Sequence, residues 1–196
     1  MSLERTHNGI YTDLGILYAK YKPKRLMDHI TTYNSKLMTP KLIRACEKYQ
    51  MWPEAVHLHA NYDQQDQAVV LMMEHSPSAW RHDLFSQNIV KVANHDLWYR
   101  SIIFYLEEEP MLLNDMLKLL AAKIDLTKAV GVMKRTGQIA LITPFLKSVQ
   151  AQNISAVNEA LNEIYLENED YESLRNSIKE YDSFESLSLA AGLENH

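Results

Sequence analysis

The residues of this chain whose types suit chemistry are its eight histidines, one cysteine and two acidic runs. His57 and His59 suggest a metal site, yet two residues apart on a helix they point about 200° from each other and cannot share an ion. His59 also falls inside the apolar step Ala55/Leu58/His59/Tyr62, which predicts a partly buried histidine with a backbone or side-chain partner. Glu74, His75 and His82 share no helix face, because Pro77 interrupts it. Cys46 would be a nucleophile if a histidine lowered its pKa; its neighbours at helical spacing, Leu42, Ala45 and Tyr49, predict a buried neutral thiol instead. The runs Glu107-Glu108-Glu109 and Glu167-Asn168-Glu169-Asp170 resemble paired catalytic carboxylates. Both fall at helix ends, where charge is solvated, and the second precedes a helix whose N-terminal dipole favours acids. No glycine-rich phosphate loop and no Gly-x-Ser-x-Gly turn is present. The residues therefore predict no catalytic site, no metal site and no cofactor; the chain is not expected to be an enzyme.

What would position such residues is a series of helices. Four segments repeat the step i, i+3, i+4, i+7: Leu14/Leu17/Tyr18/Tyr21, Leu42/Ala45/Cys46/Tyr49, Ala55/Leu58/His59/Tyr62 and Leu113/Met116/Leu117/Leu120. No segment alternates Val, Ile and Thr as a half-buried strand does. Thr39-Pro40 and Thr143-Pro144 offer an N-cap oxygen and a preset φ, and Trp52-Pro53 the second alone. Asp96, Asp125, Asn153 and the Asp182/Glu185 pair mark further starts, and Thr136-Gly137 a stop. Helices are expected over 10–20, 23–33, 40–50, 53–62, 65–75, 83–94, 97–109, 111–121, 126–135, 144–151, 154–167, 170–180 and 184–193. Their connections are short, so successive helices run antiparallel. A weak echo favours an open stack over a bundle: Tyr21, Tyr49, Tyr62 and Tyr181 are followed six residues later by Met27, Ala55, Ala68 and Leu187, as repeated hairpin corners require. At a helix-packing distance of about 9 to 10 Å per pair, the stack would extend roughly 60 Å.

Composition agrees with a folded scaffold. The chain is 46% hydrophobic and 23% charged, with 5 Gly and 6 Pro in 196 residues, and needs little punctuation if it is a run of helices. A single cysteine excludes an intramolecular disulfide and suits a reducing compartment. No run approaches the roughly 20 apolar residues of a membrane span, so no direct membrane insertion is expected. Residues 1–50 carry nine Lys/Arg against four Asp/Glu, and residues 151–196 two against ten. The densest basic cluster, Lys20, Lys22, Lys24 and Arg25, lacks the stacking aromatics of a nucleic-acid stripe and predicts no nucleic acid. Eleven Tyr against four Phe favour rings that pack on one edge and hydrogen-bond at the other. Trp98 and Arg100, opposite much of the Tyr99/Ile102/Ile103/Leu106 stripe, suit either a partner site or an ordinary amphipathic flank.

One longer pattern adds a family. Lys91-Val92-Ala93-Asn94, Leu97, Tyr99-Arg100, Ile102, Phe104-Tyr105-Leu106-Glu107, Pro110 and Leu112-Leu113-Asn114-Asp115 resemble clathrin heavy chains. Before this block stand Leu3-Glu4-Arg5, Ile16-Leu17-Tyr18, Lys22-Pro23 and Met72-Met73. After it come Phe145-Leu146-Lys147-Ser148-Val149-Gln150, Val157-Asn158-Glu159, Glu169-Asp170-Tyr171 and Ser188-Leu189-Ala190. The likeness is collinear from about residue 3 to the end. It implies an all-α fold, a right-handed α-α superhelix, with residues 1–196 forming one continuous solenoid segment of a longer chain and no internal linker. It further implies a leg segment of the clathrin coat, on the cytoplasmic face of coated pits and vesicles, that packs beside neighbouring heavy-chain legs and carries the clathrin light chain. Without the family's propeller and trimerisation regions, this segment alone should be monomeric and should not bind adaptors. Departures from animal-type relatives at His57, His59 and Asn61 leave partner-contact residues unassigned. The other reading of the same fold is a peptide-binding helical scaffold of another trafficking complex.

Overall fold

A computed structural model of the chain describes residues 2–186, with side chains from residue 9 onward. The described residues form helices and no strand, in two compact units, Met1–Leu97 and Trp98–His196. The first unit holds α1 (Ser2–Tyr21), α2 (Leu26–Tyr33), α3 (Thr39–Lys48), α4 (Trp52–Asn61), α5 (Gln65–Glu74) and α6 (His82–Ile89). Helix α7 (Asp96–Glu108) starts at the boundary; α8 (Leu113–Leu120), α9 (Leu126–Arg135), α10 (Thr143–Val149), α11 (Ser155–Glu167) and α12 (Tyr171–Glu180) complete the second. Neighbours in sequence are neighbours in space: α3 packs on α4, α4 on α5 and α5 on α6, while α11 packs on α9, α10 and α12.

Most expected helices are found within two residues, and 126–135 is found as expected. The expected 83–94 helix ends early, at Ile89. Several starts are 3-10 turns, as at Pro23–Arg25 and Pro110–Leu112. Most of the expected 184–193 helix, with Leu187 of the tyrosine echo, lies outside the described residues.

Helix starts follow the prolines, but not through threonine caps. Thr39 and Thr143 sit inside the first turns of α3 and α10 with Pro behind them, and Met38 and Ile142 occupy the cap positions. Thr143 Oγ1 instead donates to the Ala140 carbonyl at 2.7 Å. Asp125 does cap α9, accepting from the Lys128 amide at 3.1 Å, and Asp170 caps α12 through Ser173 at the same distance. Asp96 lies within α7; the Asn94 side chain caps its amide.

Helix ends share one corner. After α3, α4, α9 and α11 a residue with positive φ follows the C-cap: Gln50 (58°), Asp63 (57°), Gly137 (69°) and Glu169 (56°). At each corner an amide then reaches back five residues, Met51 to Cys46, Gln64 to His59, Gln138 to Met133 and Asp170 to Tyr165. This is the Schellman closure, which uses up carbonyls that the helix end leaves unpaired. The tyrosine echo marks two of these corners, with Tyr49 and Tyr62 as C-caps. Ala55 and Ala68, six residues on, are both fully buried.

Three of the four apolar steps face the core. Leu113, Met116, Leu117 and Leu120 are fully buried, as are Leu42, Cys46, Ala55 and Leu58. Of the step assigned to α1 only Tyr18 packs against the core, beside His29, while Leu14, Leu17 and Tyr21 are exposed. The inner face of α1 is Thr12, Gly15 and Ala19. A Cβ on Gly15 would meet Leu42 Cδ1 at 3.1 Å and His29 Cδ2 at 3.3 Å, so any larger residue would require those side chains to shift for α1 to approach α2 and α3 this closely.

Consecutive hairpins are tied by single polar side chains that accept amides 26 to 31 residues ahead. Thr12 Oγ1 accepts from Met38 at 2.9 Å. The Asp66 carboxylate accepts from Ala93 at 2.8 Å and Asn94 at 3.0 Å. Asn114 accepts from Phe145 at 3.1 Å and donates to the Leu141 carbonyl at 3.0 Å. Asn153 and Glu159 accept from Ser183 and Glu185. At the expected Asp182/Glu185 capping box, the Glu185 amide donates to Glu159 at 3.1 Å and Asp182 accepts from Asn153 at 2.7 Å. A helix start needs acceptors for its free amides, and here the preceding hairpin supplies several of them.

Candidate interaction surface

The residues with chemical potential are dispersed or buried. His59, nearly buried, pairs Nδ1 with Gln64 Oε1 at 2.7 Å, and its Nε2 lies 3.6 Å from Glu47. His57 points elsewhere, to Asn61 at 2.8 Å, and burial lowers its pKa. His75 stacks flat on Trp52, with ring centroids 3.6 Å apart, while His82 lies against Trp80. Among the described residues no three His, Cys, Asp or Glu side chains come together as metal ligands. Cys46 is fully buried and its thiol is pushed up to about 12, chiefly by desolvation and then by the Glu54 and Glu47 charges. That thiol cannot act as a nucleophile near neutrality. Glu107, Glu108 and Glu109 are solvated at the end of α7. In the second run, Asp170 is held below the usual carboxylate range by hydrogen bonds from Ser173, the cap its position predicts.

Trp98 and Arg100 separate. Trp98 is buried, 5% exposed, on a face shared with Leu97, Ser101, Ile102 and Tyr105. The inner stripe of α7 is thus rotated from Tyr99/Ile102/Ile103/Leu106, because Ser101 is small enough to sit at the contact and Tyr99 turns outward. Arg100 stays exposed.

Turned outward, Tyr99 joins Arg100 and Ile103 of α7, Val132 and Arg135 of α9 and the C-cap residue Thr136 to form a shallow groove of about 300 Å³. Tyr99, Ile103 and Val132 supply apolar lining. Lys128 Nζ lies 4.4 Å from the Tyr99 ring centroid, a cation–π contact that covers one ring face. Gly131 keeps the α9 side open: the nearest atom to a Cβ placed there is Arg135 Nη1, at 3.9 Å. Sequence reasoning singled out Arg100 but assigned Tyr99 and Ile103 to the inner stripe, and missed Val132, Arg135 and Thr136, which lie more than thirty residues on. The one available signal was Gly131 in mid-helix, four residues before Arg135.

A second polar cluster is buried rather than open. Gln150 donates to Ser177 at 3.0 Å, and Ser177 to Asn162 at 2.8 Å, joining the turn after α10 to α11 and α12. All three side chains lie within the second unit's interior. Their partners satisfy them, so the cluster fixes how the helices meet.

Corner-linked helical hairpins, tied to their neighbours within each unit, define a helical-repeat scaffold. The comparison with known families agrees. A family model described as a region in clathrin and VPS matches residues 1–113 and 117–196, and the chain belongs to this clathrin repeat family. It is 49% identical to clathrin heavy chain 1 of Oryza sativa subsp. japonica, 48% to the clathrin heavy chain of Dictyostelium discoideum and 44% to clathrin heavy chain 2 of Homo sapiens. Each match covers all 196 residues of this chain and 12% of the relative.

Proposed function

We propose that this chain is a leg segment of a clathrin heavy chain, a structural rather than catalytic element that supports coat assembly and carries a light chain. The observation that carries the reading is 49% identity across the whole chain, a span no local motif supplies. Within each unit, corners and ties that link successive hairpins support a repeat of this kind, and residues 1–196 are read as one solenoid segment of the longer chain. On α1, the exposed row of Ile10, Leu14, Leu17 and Tyr21 is an apolar face that a neighbouring repeat would cover, as within a longer stack. Clathrin light chain and neighbouring heavy-chain legs are the partners, met at the cytoplasmic face of coated pits and vesicles. No described helix is long and apolar enough to cross a membrane, so attachment would be indirect. Each leg contact is weak, and assembly comes from many acting together.

Small-angle scattering and a light-chain capture assay test this reading. An extended segment gives a radius of gyration well above the ~16 Å of a compact domain of this length, and immobilised clathrin light chain retains the chain. A globular profile would refute the extended leg. Failure of light-chain capture by an extended monomer would move the chain to the peptide-binding scaffold class.

A further inference from the structure

Among the described residues, His59 Nε2 is a buried nitrogen without a hydrogen-bond partner. The other end of the ring is committed. Nδ1 lies 2.7 Å from Gln64 Oε1, at the N-cap of α5, and an amide oxygen only accepts, so Nδ1 holds the proton. A neutral imidazole has one N–H and no more. Nε2 therefore presents a lone pair, and the group facing it from α3 is the Glu47 carboxylate, with Oε1 at 3.6 Å. Two acceptors confront each other. A second proton on the ring changes the sign of that contact, because Nε2–H then donates to the carboxylate in a charge-assisted bond.

The surrounding groups leave this pair to itself. On α3, Glu47 meets no lysine or arginine among the described residues, and Lys48 beside it lies over the Tyr49 ring, 5.5 Å from the centroid. The Cys46 thiol is neutral, pushed up to about 12 by burial and then by the Glu54 and Glu47 charges. On α4, Glu54 is buried with one oxygen unpartnered, and burial raises its carboxyl above the ordinary range. His57 turns away to Asn61 at 2.8 Å. On α5, the Asp66 carboxylate is taken up by the Ala93 and Asn94 amides. Helix α2, which also packs on α4, directs His29 to the Tyr11 carbonyl at 2.8 Å. The Glu47 side chain is 45% exposed and the His59 side chain 8%, so water serves the carboxylate while the ring nitrogen has Glu47 alone to turn to.

We propose that His59 is a proton-operated latch at the joint of α3, α4 and α5: in mild acid its Nε2–H closes on Glu47 while Nδ1–H stays on Gln64, so that one ring ties three helices, and at neutral pH only the Gln64 half holds. Only the imidazolium makes the second bond. The latch therefore adds stability below the ordinary histidine value of about 6.5, and that stability is lost as pH rises through it. The joint is tighter in acid. This inference does not rest on the coat reading, because the latch belongs to one joint within the first unit whatever the chain assembles with.

The test uses the full chain, isotope-labelled for NMR. Proton–nitrogen correlation spectra of the histidine rings report which nitrogen carries the proton, and the signals lost in His59→Asn assign this ring. At about pH 8 His59 is expected with its proton on Nδ1, and at about pH 5 with both nitrogens protonated. A proton on Nε2 at about pH 8 overturns the proposal, because that nitrogen would already donate. Amide exchange, corrected for the intrinsic effect of pH, is then followed at two corner amides: Gln64, which donates to the His59 carbonyl at 2.9 Å, and Met51, which donates to Cys46 at 2.8 Å. Protection of both is expected to rise about fivefold from about pH 8 to about pH 5. Glu47→Gln and His59→Asn should each abolish the rise, the first by removing the carboxylate, the second by keeping a donor for Gln64 without a second ring nitrogen. All are compared in a Glu54→Gln background, which removes the other buried group of this joint whose charge changes with pH. The amides of Leu117 and Leu120, in the second unit, should not follow. No rise in the parent refutes the latch, as does a rise that survives Glu47→Gln. A uniform rise that includes Leu117 and Leu120 overturns it too, since a global change does not need this contact. The ring spectra of the parent decide the tautomer without any variant.

Discussion

Replacing Asp66 by alanine isolates one inter-hairpin tie. Its carboxylate accepts from Ala93 at 2.8 Å and Asn94 at 3.0 Å, on the segment between α6 and α7. Each bond is charge-assisted but solvent-accessible, so about 1 kcal/mol apiece is a fair net contribution. Asp66 also lies in the first turn of α5, where a negative charge adds a few tenths of a kcal/mol. The sum is about 2 kcal/mol. Because the tie spans one segment, the loss should appear as local opening at residues 93 and 94 rather than as unfolding of the unit. Two kcal/mol corresponds to about thirtyfold faster exchange of those two amides. Hydrogen–deuterium exchange followed by NMR measures it, with the amides of Leu42, Ile43 and Cys46 as internal reference. Asp66→Asn, which keeps an acceptor without the charge, should fall between parent and alanine variant. Unchanged exchange at Ala93 and Asn94 would refute the tie. Uniform acceleration at all amides would show that Asp66 acts on global stability, and the argument for separable joints would fail.

Two glycines, one inside α9 and one just past its end, should respond with opposite signs. Gly131→Ala in mid-α9 meets only Arg135 Nη1 at 3.9 Å and should stabilise by about 0.8 kcal/mol; Gly137→Ala, at a φ of 69°, should cost about 1 kcal/mol. Urea denaturation of the two variants gives both values. Cys46 should resist iodoacetamide in the native chain at neutral pH and react readily once denatured; rapid labelling of the native chain would contradict a buried thiol held near 12. Glu54 is buried, with one carboxylate oxygen unpartnered, and burial raises its pKa above the ordinary 4.5. Folding therefore favours its protonated form, and stability associated with Glu54 is lost as pH rises through the raised folded value. Glu54→Gln should raise the melting temperature at neutral pH, with parent and variant converging below 4.5.

Helices were legible because apolar residues at the 3.6-residue period dominate α3, α4 and α8, and prolines mark where α3, α4 and α10 begin. The inner face of α1 was not. Leucine and tyrosine outweigh glycine, alanine and threonine on any apolar scale, yet close approach selects the small residues, and Gly15 decides the face. The same reasoning explains α7, where Ser101 is buried and Tyr99 is turned out. Corners were half legible: Tyr49 and Tyr62 mark two, but Gln50, Asp63 and Glu169 adopt positive φ without being glycine, so the usual stop signal is missing. The ties escaped entirely. A lone Asp66 or Asn114 has no periodic companion, and its partner is a backbone amide, which carries no residue-type signal. Of the candidate groove only Arg100 stood out, since Val132 and Arg135 belong to another helix and are ordinary there.

The span of those ties also governs how the chain can be made. The ties described above, from Thr12 to Glu159, span 26 to 31 residues, so each loop they close is short and its entropy cost small. Contact order set by such neighbours stays low however many hairpins are added. A nascent chain therefore has what it needs to fold one hairpin as soon as the next emerges from the ribosome, without waiting for a distant terminus. A very long polypeptide of this type can be synthesised with little unfolded surface exposed at any moment.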